Sequence, residues 1–246
     1  TPKYNLLYKA FGWDIPVYIH CAPVMKDQKH KLSKRNGDAS FQDLMEKGYL
    51  PEAVLNYICL LGWAPTGEQE IYSLEELCSA FDIKGISKSP AIFDPLKLRA
   101  INAKYIAALT EEEYAELAIP YIEKNLHREV ADMPLLCHVL KPRTEIFTDI
   151  AEHIDFIDEL PDYDIEMYRH KKMKTTPETS LEALKKLLPV LESLEEWTTD
   201  KIHEAVFGLI AELEVKNGFM LWPLRTAVSG KQCTPGGGIE LCAILG

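Results

Sequence analysis

A mainly α fold is predicted by three features of this 246-residue sequence. Capped apolar stripes at helical spacing recur from Ser40 to Leu245. Segments of alternating apolar and polar residues, the mark of half-buried strands, are absent from Thr110 onward. Only the first part departs from this: the apolar run Val17 to Met25 reads as one buried strand, followed on its exit loop by the basic run Lys31-Leu32-Ser33-Lys34-Arg35.

In chain order, a short helix around Lys3 to Ala10 precedes that strand and its basic loop. Ser40 can cap a helix toward Lys47 that stops at Gly48. Pro51 then opens a helix whose stripe is Ala53, Val54, Tyr57, Ile58 and Leu61, ending at Gly62. Ser73-Leu74-Glu75-Glu76 has the capping-box pattern for a helix through Phe81. Asp94-Pro95 starts another that carries Leu98, Ile101, Asn102 and Tyr105. Thr110-Glu111-Glu112-Glu113 is a further capping box, and helices are expected over 111–124, 130–139, 143–158, 178–193, 199–216 and 220–228. Pro134, Pro142, Pro161, Pro177 and Pro189 serve as breaks, and an apolar helix Ile239 to Leu245 closes the series. Tyr163 to Thr176, polar and basic, reads as a connection between two parts of the helical half.

The length allows two domains and a sizeable core. Hydrophobic content is 47%, ordinary for a globular chain. No stretch approaches the roughly 18 apolar residues that span a bilayer, and the first residues do not form a secretion signal. The six cysteines contain no CxxC pair. The adjacent pairs His20-Cys21 and Cys137-His138 are poor metal geometry, so reduced cytosolic thiols and no bound metal are expected. A net charge of −11 argues against general affinity for nucleic acid. Two basic islands stand out, Lys26 to Arg35 and Arg169 to Lys174, and an acidic chain with such islands can hold RNA at chosen points. The second island reads equally well as a solubilising linker.

Two lysines separated by two residues, with a hydroxyl beside the second, suit a loop closing over a polyphosphate. The ammonium groups act as point charges, and loop N–H groups supply further donors. By itself such a run is more often an ordinary surface loop. Arg225, in the Pro-Leu-Arg turn, can offer a planar fork to a base edge or phosphate, though read alone it is a surface arginine. Thr234 and Pro235 sit on a turn built by Gly236 and Gly237, where backbone can approach an unstacked base. Arg143, after Pro142, is a weaker candidate for the same surface, with a salt bridge to a nearby glutamate as its competitor.

The surrounding text resembles glutamyl-tRNA synthetase of the bacterial type, a class I aminoacyl-tRNA synthetase. KLSKR is similar to that class's KMSKS signature. Thr1-Pro2-Lys3, Leu6-Leu7-Tyr8 and Phe11-Gly12-Trp13 resemble the family's TPKH…LYEAFGW stretch. Gly37-Asp38, Gly48-Tyr49-Leu50-Pro51-Glu52-Ala53, Asn56-Tyr57, Leu61-Gly62-Trp63, Phe93-Asp94, Lys97-Leu98, Asn102 and Tyr105-Ile106 follow in family order. Pro223-Leu224-Arg225, Gly230 and Thr234-Pro235-Gly236-Gly237 resemble its last anticodon-binding segment. Between Glu111 and Leu221 the likeness is of helical pattern. Asn36 departs from the family's more usual His, and neither the HIGH-like first signature nor the acceptor-binding insertion is in this sequence.

The resemblance implies the end of a class I nucleotide-binding fold with the KMSKS-like loop over 1–38, a stem-contact helical domain over 39–109, and an all-helical anticodon-binding region. That region is expected as subdomains 110–170 and 171–246. It implies a C-terminal portion of a glutamate–tRNA ligase, which attaches glutamate to tRNA-Glu through glutamyl-adenylate at the expense of ATP. Such a portion should not aminoacylate alone. By the same resemblance Lys34 neutralises charge on the leaving pyrophosphate and Lys31 supports it. Leu32 offers backbone contacts to ATP, with Ser33 and Arg35 secondary. Arg225, Thr234, Pro235 and Arg143 face the anticodon loop. Trp63, Asn102 and Tyr105 serve packing. ATP with Mg2+, glutamate and tRNA-Glu are the expected ligands of the full enzyme, with tRNA-Gln left open. A cytoplasmic monomer is expected. The alternatives are a stand-alone helical module for RNA or protein binding and, more weakly, a glutaminyl-tRNA synthetase, which usually carries β-barrel anticodon domains.

Overall fold

The computed structural model describes residues 1–33 and 40–246, and the contacts gather them into two compact units: Thr1–Met45 with Pro51–Ile101, and Glu46–Leu50 with Asn102–Gly246. In the first unit α1 (Pro2–Ala10) begins at a proline, whose fixed φ suits the first helical turn and whose missing N–H is not needed there. The strand expected over 17–25 is much shorter. Only β1 (Val24–Met25) pairs, parallel to β2 (Ala91–Ile92), with Val24 opposite Ala91 and Met25 opposite Ile92. Residues 17–23 are irregular, and Val17 is 91% exposed. A strand is held by cross-strand pairs, so an apolar run without a neighbour beside it stays outside a sheet.

The helices of this unit begin where their caps predict. Ser40 and Asp43 exchange bonds at the start of α2 (Phe41–Glu46): the Ser40 N–H donates to Asp43 Oδ2 at 2.6 Å, and the Asp43 N–H to Ser40 Oγ at 3.3 Å. In α3 (Pro51–Gly62) Ala53, Val54 and Tyr57 are buried, whereas Ile58, at the edge of that arc, is 49% exposed. The Tyr57 hydroxyl donates to the Asp94 carbonyl at 3.0 Å and accepts the Asp94 N–H at 2.6 Å. Asn56, fully buried, uses both ends of its amide: Nδ2 donates to the Glu70 carbonyl and Oδ1 accepts the Tyr72 N–H, each at 2.8 Å. That fixes the loop so Tyr72 packs with Trp63 and with Leu77 of α4 (Leu74–Ala80). The capping box of α4 is formed by Ser73 and Glu76 as read. Asp94 Oδ1 accepts from the Leu96 and Lys97 N–H groups at the start of α5 (Pro95–Ala108).

The second unit is helical among its described residues: α6 (Glu111–Asn125), α7 (Met133–Leu140), α8 (Ile150–Asp158), α9 (Pro177–Glu192), α10 (Thr199–Glu212), α11 (Asn217–Ser229) and α12 (Gly238–Leu245). Thr110 and Glu113 close the expected capping box of α6. The structure departs from the sequence reading in several places. The helix expected over 143–158 starts only at Ile150, after 3-10 turns at Lys141–Arg143 and Phe147–Asp149. Thr144 intervenes there, its hydroxyl donating back to the Leu140 carbonyl at 3.0 Å and accepting from the buried Tyr114 hydroxyl at 2.7 Å. Burial raises the Tyr114 phenol well above its ordinary pKa, so the donor keeps its proton. The helix expected to reach 216 ends at Glu212, because Glu214 turns left-handed at φ +53° and the Val215 N–H closes onto the Ile210 carbonyl. Pro189 does not break α9; it lies inside the last turns, between the buried Leu187 and Leu191. An interior proline costs about 3 kcal/mol, an amount that burial of two leucines offsets.

Two cores fill this unit. Tyr114, Ile122, Leu136, Leu140, Ile150 and Ile154 are fully buried between α6, α7 and α8. Leu187, Ile202, Val206, Met220 and Leu224 join α9, α10 and α11 in the other. A polar clamp holds the first end together. Asn102, with no exposed surface, accepts the Leu50 N–H at 2.8 Å and donates to the Glu145 carbonyl at 2.5 Å. Asn102→Ala leaves both backbone groups without their partner, and each buried unpaired group costs about 1–3 kcal/mol. A loss of about 2–4 kcal/mol in a urea titration followed by circular dichroism is the expected outcome; a change under about 0.5 kcal/mol would show that water replaces the amide without penalty.

Candidate nucleic-acid interface

Among the described residues of the basic loop, Lys31 follows a small hairpin. Lys26 N–H donates to the His30 carbonyl at 2.8 Å, Leu32 N–H to the Val24 carbonyl at 3.0 Å, and Met25 bridges Lys31. Asp27 shapes the turn by accepting the Lys29 and His30 N–H groups at 2.7 and 2.9 Å and by pairing with the His30 ring. Those backbone bonds, first that from Lys29, then the ring, lower its carboxyl pKa to about 2. Lys31 is exposed, and Leu32 and Ser33 are half-buried. Lys34 and Arg35, the other expected members of the ATP loop, lie outside the described residues, as does Asn36.

The four residues expected to face RNA come together. Arg143, Arg225, Thr234 and Pro235 all line one open cavity of ≈ 540 Å³, together with His138 and Glu240. Their positions follow from the local fold. Arg143 ends the 3-10 turn Lys141–Arg143 beyond α7. Arg225 stands on α11 and not in a turn, because Pro223 is accommodated within that helix. Gly230, left-handed at φ +61°, stops α11, and a side chain there would run into the Tyr163 ring. The chain then returns through residues 231–237 to α12. Here Arg225 acts as a strap, one Nη donating to the Gln232 carbonyl at 2.7 Å. The Thr234 hydroxyl donates to the Gly236 carbonyl at 2.6 Å, and both Thr234 and Pro235 are buried. Thr234 therefore shapes the loop and has only an acceptor left to offer a ligand.

Arg225 is also the hinge between this cavity and a second of ≈ 560 Å³, lined by Met173, His203, Phe207, Trp222 and Ile239. Arg225, Gly237 and Glu240 belong to both. The Arg225 guanidinium lies 4.4 Å from the Trp222 ring centre, a cation–π contact between residues three apart on one helix face. Trp222 is itself fixed: its Nε1–H donates to the Met167 carbonyl at 3.1 Å, and the His170 ring lies 4.1 Å from it. Arg225 Nε is buried without a partner. Burial first, with the neighbouring charge of Arg143 acting the same way, lowers the Arg225 pKa below the usual arginine value, against an opposing pull from Cys233. Arginine does not deprotonate in proteins, so the shift measures how poorly the charge is solvated here. Two cations held together with an unpaired N–H suit an acceptor-rich or anionic ligand.

Trp222 and Glu240 are not among the residues the sequence singles out, and His138 stands there only beside Cys137 as a poor metal pair. Trp222 was accessible to such a reading, since it stands three residues before Arg225 on one helical face. Glu240 was not, because it reaches the cavity only through the packing of α12 on α11. That packing is close: a Cβ on Gly238 would stand 2.9 Å from both the Arg225 nitrogen and Leu224 Cγ.

The sequence matches two family models. Residues 113–246 match an anticodon binding domain, and residues 1–100 match the catalytic domain of class I tRNA synthetases (E and Q). Among curated proteins, a glutamate–tRNA ligase of Clostridium botulinum (strain Eklund 17B / Type B) is 58% identical over 248 residues, covering all of this chain and 51% of that protein. One from Clostridium acetobutylicum is 56% identical over 246 residues, again covering all of this chain and 51% of the relative. The crystal structure of a glutamate tRNA ligase from Elizabethkingia meningosepticum in complex with its amino acid superposes with a TM-score of 0.79 at 26% identity, over 99% of this chain and 51% of that one. The chain thus spans half the length of the relatives it matches.

Because Gly238 sets the joint between α11 and α12, Gly238→Ala is expected to push the helices apart. The cost is about 1–3 kcal/mol of stability, typical of overpacking, read as a lowered midpoint in thermal unfolding. A wild-type midpoint would mean that the joint absorbs a methyl group and does not constrain Arg225.

Proposed function

The chain belongs to the bacterial-type glutamyl-tRNA synthetase family of class I synthetases, and from that premise we propose that it is the anticodon-reading and KMSKS-loop portion of a glutamate–tRNA ligase. The observation that carries this reading is the convergence of Arg143 with Arg225, Thr234 and Pro235 on one cavity, from segments some eighty residues apart in sequence.

In this reading, unpaired anticodon bases enter the two cavities on either side of Arg225. Single-stranded bases can be splayed out, stacked on aromatic or guanidinium planes and read at their hydrogen-bonding edges. Trp222 and the Arg225 plane stacked on it offer such a surface. The free N–H groups of Arg225 and Arg143 donate to base carbonyl and ring-nitrogen acceptors or to a phosphate, and Glu240 accepts from exocyclic amino groups. The cavity volumes, ≈ 540 and ≈ 560 Å³, fall within the about 300–1,000 Å³ of small-ligand pockets.

At the other end of the chain, Lys34 supplies positive charge where pyrophosphate leaves ATP, with Lys31 beside it, Leu32 giving backbone contacts, and Ser33 and Arg35 in support. Charge placement of this kind is the main protein contribution to such chemistry. ATP, with Mg2+, and glutamate belong to the complete enzyme, which works in the cytoplasm as a monomer on tRNA-Glu. This portion binds tRNA and does not aminoacylate alone. Among the described residues no helix is long and apolar enough to cross a membrane.

Two measurements test the assignment. Arg225→Ala is expected to weaken binding of tRNA-Glu by about 1–3 kcal/mol and to reduce preference over an anticodon-substituted transcript, both read by fluorescence anisotropy. An unchanged dissociation constant would remove Arg225 from the site. In the complete enzyme Lys34→Ala is expected to slow pyrophosphate exchange while leaving tRNA affinity unaltered; exchange at the wild-type rate would sink its role.

A further inference from the structure

The second basic island is not a linker but a built element. Residues 170–175 form a tight hairpin: His170 and Thr175 exchange backbone bonds, each 3.2 Å, and Lys174 takes the left-handed backbone at φ +58° that the turn requires. Met173 N–H donates to His170 Nδ1 at 3.2 Å, and the Thr175 hydroxyl donates to the Tyr168 carbonyl at 2.7 Å. Thr176 follows at once as the cap of α9, so the hairpin is anchored at both ends.

Its side chains divide sharply. Met173 lines the cavity that also holds Trp222 and Arg225, and its sulfur lies against Gly218. His170 packs on Trp222. Lys171, Lys172 and Lys174 are exposed and have no carboxylate partner among the described residues. Arg169 differs from them: it is bound to Glu166 at 2.6 and 3.3 Å, with Glu178 also acting on it, and so is already neutralised. Three lysines without a carboxylate partner thus flank Met173, itself part of the cavity lining, in a chain whose net charge is −11.

We infer that this hairpin is a phosphate-binding rim, taking the RNA backbone beside the bases that enter the adjoining cavity; the inference rests on the anticodon-reading function proposed above. Lysine suits the task because it meets phosphates as a mobile point charge and reads no base. The rigid backbone holds three such charges at one place, and Met173 ties their position to the cavity. Arg225 then supplies sequence preference, while the hairpin supplies affinity that salt screens.

The test uses the triple variant Lys171→Gln/Lys172→Gln/Lys174→Gln beside Arg225→Ala. Each is titrated with tRNA-Glu and with the anticodon-substituted transcript at several salt concentrations, circular dichroism confirming the fold. Each lysine that displaces a counterion from a single strand contributes about 0.7 to the slope of log affinity against log salt. The triple variant is expected to flatten that slope by up to about 2 and to weaken both RNAs by the same factor. The corresponding triple Lys→Arg variant is expected to keep the slope. An unchanged slope, with Arg225→Ala still lowering anticodon preference, would overturn the hairpin's role and leave the cavity's reading standing. A flattened slope with Arg225→Ala silent would support the rim and count against the cavity. A loss confined to one anticodon would also overturn phosphate binding.

Discussion

The approach of α12 onto α11 at Gly238 is the contact on which the candidate interface depends. Only a residue without Cβ lets Leu224 and the Arg225 backbone come this near. With the two helices fixed, the return loop between them has little freedom. Arg225 holds it at Gln232, Thr234 closes it onto Gly236, and Glu240 is carried into both cavities. A residue that looks like an RNA contact in the sequence is thus also a structural strap. The two roles are compatible because a guanidinium has five N–H donors and a flat face. One donor serves the loop, the face serves Trp222, and the buried Nε stays open.

Electrostatics in this chain is arranged by subtraction. Some of its cations are matched by nearby carboxylates, as Arg169 is by Glu166 and Lys97 by Glu70. At the surface such pairs contribute little to stability, about 0–1 kcal/mol each, yet they remove positive charge from the places where they form. Arg143 and Arg225 in the cavity and the three lysines of the hairpin have no such ion pair among the described residues, and all five belong to the second unit. An acidic body with local clusters of cations binds polyanions weakly in general and at chosen points well. Phosphate contacts fix register while base contacts carry sequence, and the roles proposed for hairpin and cavity follow that partition.

The helical caps were legible at once. Ser73, Thr110 and Asp94 start their helices as read, because a cap bonds backbone three residues away and needs nothing distant. The strand over 17–25 was misjudged because an apolar run states a wish for burial, not the presence of a neighbouring strand. Helix ends were misjudged where a side chain or a left-handed residue intervened: Thr144 delayed α8, and Glu214 ended α10. Pro189 was taken as a break, although packing on both sides holds the helix through it.

Composition, cap chemistry and ordered motifs were enough to determine a mainly helical chain and its family, and to name four residues that prove to line one cavity, since each of these is written in local spacing. The joining of Arg143 to Arg225, Thr234 and Pro235 around one cavity was decided by tertiary structure alone. So was the entry of Glu240 into both cavities. The physical reason is that these depend on how closely helices pack, and at the joint of α11 and α12 that distance is set by Gly238, which no local pattern reveals.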